Sequence, residues 1–252
     1  MTWTDEALMG LFDDVAGAVR GALDRLGDWG LAATIPGQYR CDLAADAAAL
    51  EVLDRAGVGV LSEESGLRRA DHDIVVVIDP IDGSTNAAQG IAWFATSLCA
   101  IDRDGPRAAL VVNQASGVRF HALRGGGAWR DGTPIRPSGC AVLGDAIIGL
   151  SGLPDRHWGW RQFRVLGAAA LDLCLVASGA LDGFVDCSHD AHGVWDYAGG
   201  LLVCREAGAV VFDAHDRELV VLEHGARRTP IAAATPELGR AFNMLRKSLD
   251  AG

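Results

Sequence analysis

The chain has 252 residues and six cysteines, none of them in a CxxC pair. That absence argues against a zinc ribbon or a thiol–disulfide centre. Most of the cysteines stand among apolar residues, which is the setting of reduced, buried thiols in a cytosolic protein. The N-terminus lacks a basic region followed by an apolar core, so no signal peptide is expected and the location reads as cytoplasmic. Basic charge is also short: 22 Lys and Arg stand against 33 Asp and Glu, for a net charge of −11. Such a balance disfavours nucleic acid or an anionic membrane as the main partner. Residues 83–101 carry no charge, yet Ser84, Thr85, Asn86, Gln89 and Gly90 make them a poor membrane span. No internal repeat, low-complexity tract or Pro/Ser-rich linker is present. Half of the residues are hydrophobic, enough for an ordered globular protein with a substantial core.

Several elements are legible from periodicity. Leu8, Leu11, Phe12, Val15, Val19, Leu23 and Leu26 recur at helical spacing behind Asp5 and Glu6, which predicts a helix of about twenty residues closing near Gly27. A second helix is predicted over Ala44 to Ala56, with Asp46 near its start. Gly57 to Leu61 reads as a short strand, and Ile74 to Ile78 as a fully buried one. Thr96–Ile101, Ala108–Asn113 and Val118–Leu123, separated by Asp-Gly and Ser-Gly turns, predict an antiparallel meander. After about residue 140 strands and helices alternate: Ala146–Leu150, Ala168–Ser178, Gly183–Asp186, Ala198–Ala207 and Val210–Phe212. A last helix is capped by Thr235, begins at Pro236 and shows an apolar face of Leu238, Ala241, Phe242, Leu245 and Leu249. The class is mixed α and β. The reading is two sheet-containing halves, residues 1–138 and 139–252, packed as one compact unit.

The buried run ends in Asp79-Pro80-Ile81-Asp82-Gly83-Ser84-Thr85-Asn86. Two carboxylates three residues apart suit a hard cation, and the amides of a Gly-Ser-Thr turn at a helix start suit phosphate. Two further motifs flank it in sequence: Ser62-Glu63-Glu64-Ser65-Gly66, and Trp195-Asp196-Tyr197-Ala198-Gly199-Gly200. Taken alone, each has a plainer reading: strand-end turn residues, a solvated acidic loop, and a core aromatic followed by a helix-capping aspartate. Together and in this order they resemble the inositol monophosphatase family of magnesium-dependent, lithium-sensitive phosphatases.

The resemblance implies a layered α-β-α-β-α sandwich of the sugar-phosphatase type and two or three Mg²⁺ ions per site. Asp79 is then expected to bridge two metals, with Glu63 and the Ile81 carbonyl completing one site and Asp82 and Asp196 the other. Two such ions about 3.5–4 Å apart can stabilise both the attacking and the leaving oxygen of an in-line displacement. Ser84 matches a family position, often threonine, that orients the attacking water. Asp46 is expected as its carboxylate partner, although Asp42-Leu43-Ala44-Ala45-Asp46 lacks the family's usual threonines and Gln38-Tyr39-Arg40 replaces a common lysine. Glu63, Ser84 and Asp46 form the expected catalytic set, and Gly83, Ser84 and Thr85 supply backbone N–H groups to the phosphate.

Substrate choice is expected downstream. Gly167-Ala168-Ala169-Ala170 resembles the family's Gly-Ser/Thr-Ala-Ala segment, which lines the substrate's hydroxylated ring. Asp186 matches a position where many relatives carry an acid that accepts a substrate hydroxyl. Cys187-Ser188-His189-Asp190-Ala191-His192 departs from the family and is read as a solvated loop rather than a zinc cluster, with His189 the candidate for substrate ranking. The expected activity is hydrolysis of a small polyol phosphate such as inositol 1-phosphate. Histidinol phosphate, fructose 1,6-bisphosphate and 3′-phosphoadenosine 5′-phosphate are the alternatives within the class, and a regulatory protein on a phosphatase scaffold is the alternative outside it. Homodimerisation and lithium inhibition are implied by resemblance alone.

Overall fold

The computed structural model describes residues 3–34 and 36–250. Helix α1 (Asp5–Asp24) is capped by Thr4, whose hydroxyl accepts the Ala7 N–H at 3.1 Å. Its first-turn acids complement the helix dipole. Helix α2 (Arg40–Ala56) starts a full turn before the predicted Ala44. The cause is Asp42, whose carboxylate accepts the Tyr39 N–H at 2.8 Å and closes the first turn. Asp46 therefore lies in the second turn rather than at the helix start. A positive-φ Gly57 ends the helix.

An eight-stranded sheet follows: β1 (Gly59–Ser62), β2 (Gly66–Arg68), β3 (Val75–Asp82), β4 (Ala95–Asp102), β5 (Gly105–Asn113), β6 (Arg119–Leu123), β7 (Gly127–Arg130) and β8 (Thr133–Pro134). Its order is β2-β1-β3-β4-β5-β6-β7-β8. Strands β1 and β3 are parallel, and the other neighbours are antiparallel. The predicted meander is thus the middle of a longer one. A short helix, α3 (Ser84–Ala88), follows β3 directly.

Burial on both faces explains why β3 reads as a continuous apolar run. Val76 and Ile78 face the core shared with α1 and α2. Val75 and Val77 face the opposite core, which holds α4 (Ala169–Ala177) and α5 (Val194–Ala207). Beyond those helices lies a five-stranded sheet made of β9 (Ile147–Ser151), β10 (Gln162–Arg164), β11 (Gly183–Asp186), β12 (Val210–Asp213) and β13 (Pro230–Ala233), in the order β10-β9-β11-β13-β12. Helix α6 (Pro236–Asp250), capped by Thr235, covers its outer face through Leu238 and Phe242. The layers are α-β-α-β-α.

Helix α5 is buried on nearly all sides because it lies between the two sheets. A Cβ on its Gly200 would stand 2.6 Å from the Leu173 Cβ, so glycine sets the spacing of α4 and α5. The helix starts a turn before the predicted Ala198, which brings Asp196 into its first turn. All six cysteines are free, and all but Cys140 are buried. Among the described residues, no helix is long and apolar enough to cross a membrane.

Candidate active site

Strict alternation along β3 would put Asp79 and Asp82 on opposite faces. The pairing with β4 slips between them, from Asp79 opposite Ser97 to Asp82 opposite Ala95. This bulge turns the Ile81 side chain into the α1/α2 core and both carboxylates toward the α4/α5 layer. Pro80 sits within it, where its missing N–H costs no ladder bond, and its carbonyl accepts the Thr96 hydroxyl at 2.9 Å. The Ile81 amide donates to Asp79 Oδ1 at 3.0 Å.

Glu63 arrives from the turn after β1, and Asp196 from the first turn of α5. One carboxylate oxygen each from Glu63, Asp79 and Asp196 lies within 4.8 Å of the others. Asp82 stands beside them, capping α4 by accepting the Ala169 and Ala170 N–H groups at 3.2 and 2.7 Å. Burial first, and then mutual repulsion, pushes Glu63 up to about 8 and Asp79 and Asp82 well above the carboxylate range. Oxygen donors crowded in this way suit hard divalent cations, whose charge would remove the repulsion.

Gly83 follows Asp82 with φ +89°. A Cβ there would stand 3.0 Å from the Trp93 carbonyl oxygen and 3.1 Å from that of Gly167. Only glycine combines that conformation with that closeness. The chain then enters α3, whose first N–H groups have no acceptor within the helix. Asn86 ties this turn to the far wall by donating from Nδ2 to the carbonyls of Trp93 and Leu166, both at 2.8 Å.

The carboxylate that stands beside Ser84 is Asp42, whose pKa the Ser84 hydroxyl lowers. This corrects the pairing with Asp46. Asp46 instead accepts the Ser62 hydroxyl at 2.6 Å and that of Ser65, and so braces the acidic turn. The reason is the early start of α2, which brings Asp42 rather than Asp46 to the site. Burial, with the charge of Glu64, raises Asp42 to about 6 despite the opposing Tyr39 hydrogen bond.

A cavity of about 270 Å³ adjoins the cluster, with Asp82 and Asp196 in its wall. Gly167, Ala168 and Ala169 line it, together with Leu150, Val165 and Phe184. No Arg or Lys is among its lining residues. Asp186 lies at the end of β11 with no exposed surface, one oxygen taking the Ser188 N–H at 2.8 Å. His192 lines the cavity, with Nδ1 3.1 Å from Asp196 Oδ2 and Nε2 3.0 Å from Ser151 Oγ. Burial pulls its pKa down, but the hydrogen bond and charge of Asp196, reinforced by Asp186 and Asp82, lift it to about 9. The other polar residues of that loop turn elsewhere. His189 is exposed and meets His215 edge-on at 6.2 Å, while Asp190 pairs with Arg217 at 2.8 Å. Sequence reasoning missed Asp42, Ser151, Asn86 and the inward turn of His192. The cue for Asp42 was an acid three residues after Tyr39, at capping-box spacing.

The sequence model of the inositol monophosphatase family matches residues 40–247. The chain belongs to that family. A fructose-1,6-bisphosphatase/inositol-1-monophosphatase of Archaeoglobus fulgidus is 33% identical over 217 residues, covering 82% of this chain and 84% of the relative. Nus factor SuhB of Pasteurella multocida is 32% identical over 190 residues, 68% of this chain and 70% of that protein. Among solved structures, extragenic suppressor protein SuhB of Bartonella henselae superposes with a TM-score of 0.81 at 27% identity, over 96% of this chain and 98% of that one. Membership makes this a phosphatase-type fold with a hydrolase site, and it leaves the substrate open.

Proposed function

We propose that the protein is a Mg²⁺-dependent phosphomonoesterase acting on a small polyol monophosphate, with inositol 1-phosphate as the first substrate to test. The observation that carries this reading is the convergence of Glu63, Asp79 and Asp196, at the edge of a cavity lined by no Arg or Lys. A bisphosphate would need cationic side chains for its second phosphate, so the cavity favours monophosphates over fructose 1,6-bisphosphate and 3′-phosphoadenosine 5′-phosphate.

Glu63, Asp79, Asp82 and Asp196, with the Ile81 carbonyl, are the groups that would hold two or three Mg²⁺ ions. Bound there, the ions supply neutralisation of the phosphate charge and Lewis acidity toward water. The chain's own groups do the rest. Asp42 fixes the Ser84 hydroxyl, which orients the attacking water. The N–H groups of Gly83, Ser84 and Thr85 receive phosphate oxygens. Gly167, Ala168 and Ala169 face the leaving alcohol. On this reading residues 1–138 carry most of the phosphate machinery and residues 139–252 the alcohol side, and two copies associate as a homodimer.

The test is phosphate release from inositol, sugar and amino-alcohol monophosphates, with and without Mg²⁺. Release that requires the ion and favours inositol 1-phosphate is the expected result. No release from any ester by folded, Mg²⁺-bound protein would move the assignment to a regulatory protein on a phosphatase scaffold; the Pasteurella relative is itself named a Nus factor.

A further inference from the structure

The alcohol side of the cavity contains a polar connection that the phosphatase chemistry does not use. Strands β9 and β11 run parallel and end in register, with Ser151 beside Asp186. The His192 ring stands between these ends and Asp196, its backbone paired with Arg228 through N–H···O contacts of 3.4 and 2.8 Å. Asp186 has no exposed surface, and its Oδ2 has no hydrogen-bond partner although His192 Nε2 is 3.7 Å away. Asp186 is absent from the cavity lining, whereas His192 and Ser151 are both in it.

Counting donors and acceptors assigns the parts. Asp196 Oδ2 accepts the Gly193 N–H at 2.9 Å, and His192 Nδ1 donates to the same oxygen at 3.1 Å. That fixes the ring plane and commits Nε2 to the Ser151 side. A serine hydroxyl has one donor and two acceptor positions, so Ser151 keeps hydrogen-bonding capacity after meeting Nε2. The wall around it is Leu150, Phe184, Val165, Ala168 and Ala169, with the Asp172 carboxylate of α4 accepting the Trp93 indole N–H at 3.0 Å.

The geometry points to Ser151, held in place by His192, as the side chain that reads a hydroxyl of the leaving alcohol, with Asp196 anchoring the imidazole through Nδ1. Ser151 is then a specificity-determining residue and His192 a positioning residue. The substrate class narrows to monophosphates whose alcohol carries a further hydroxyl placed to reach β9. This inference rests on the phosphatase reading above.

The test compares kcat/KM for inositol 1-phosphate with that for phenyl phosphate, which has no hydroxyl on its leaving group beyond the ester oxygen. Ser151→Ala is expected to lower the value for inositol 1-phosphate about tenfold more than the value for phenyl phosphate, mostly through KM. His192→Ala lowers turnover of both esters through its contact with Asp196 and also loses the preference. The double variant loses no more preference than either single one, because both act through one hydroxyl. Equal effects of Ser151→Ala on the two esters, or preference losses that simply add in the double variant, would overturn the assignment. Wild-type protein that hydrolyses neither ester would instead overturn the phosphatase reading and this inference with it.

Discussion

The acidic cluster and the cavity beside it share Asp82 and Asp196 but are made of different material. On the cluster side every group is a carboxylate at the end of a strand or helix, or a backbone N–H in a turn that only glycine can enter. On the cavity side most of the wall is alanine, glycine and apolar residues, and its own polar content resides in Ser151 at the end of β9, Asp172 of α4 and His192 of the loop before α5. On the proposed reading the first side would meet what all phosphate esters share, with groups fixed by the backbone. The second would meet what differs among them, where a single side-chain change alters the site without disturbing the fold. A family can therefore keep one reaction while changing its alcohol.

The sharpest way to break this contrast is at Asp79. Asp79→Asn is expected to lower Mg²⁺-dependent kcat/KM by about three orders of magnitude or more, with the circular dichroism spectrum unchanged. Activity close to wild type would remove the phosphate side from its assigned role. Next in size is the reassigned carboxylate. Asp42→Asn should reduce kcat by about a hundredfold, and Asp46→Asn by far less, since Asp46 braces Ser62 and Ser65. The opposite ranking in steady-state assays would restore Asp46. Gly83→Ala should destabilise the protein by about 2 kcal/mol in urea unfolding, from positive φ and close carbonyls.

The metal-free protein offers a test by pH. Glu63 has a folded-state pKa of about 8 against an ordinary 4.5, so the folded state holds the proton more tightly than the unfolded chain. That contribution is full below about pH 4.5 and is lost as pH rises toward 8. In chelator, the melting temperature should fall across this window. Saturating Mg²⁺ should flatten the slope, and a slope unaffected by Mg²⁺ would count against ligation at Glu63. The smallest effect is expected on the outer loop. His189→Ala should leave substrate ranking nearly unchanged, because that ring faces His215 rather than the cavity. This reverses the expectation drawn from sequence.

These contrasts follow what a sequence can express. Five apolar residues followed by Asp-Pro-Ile-Asp-Gly-Ser-Thr announce both a buried strand and its chemistry, because period and composition are local. The Thr235–Pro236 helix start was legible for the same reason. The start of α2 was not, since it depends on one hydrogen bond from the Tyr39 amide to the Asp42 carboxylate, which puts Asp42 in the first turn and Asp46 in the second. His192 was hidden for another reason. Its loop is polar in composition, and only the register of β9 against β11 determines that one of its two histidines turns inward.

The slip in pairing at Pro80 and Ile81 has a consequence for how this chain could be silenced. Inserting one residue into β4 opposite the slip would restore an even beat to β3 and send the last aspartate to the α1/α2 side of the sheet. A strand of ordinary pleat would remain, flanked by the same layers, with half of its cation-binding pair pointing into hydrocarbon. One extra residue thus separates a strand that gathers two carboxylates on one face from one that parts them. On this architecture a paired carboxylate site is gained or lost by a change of count.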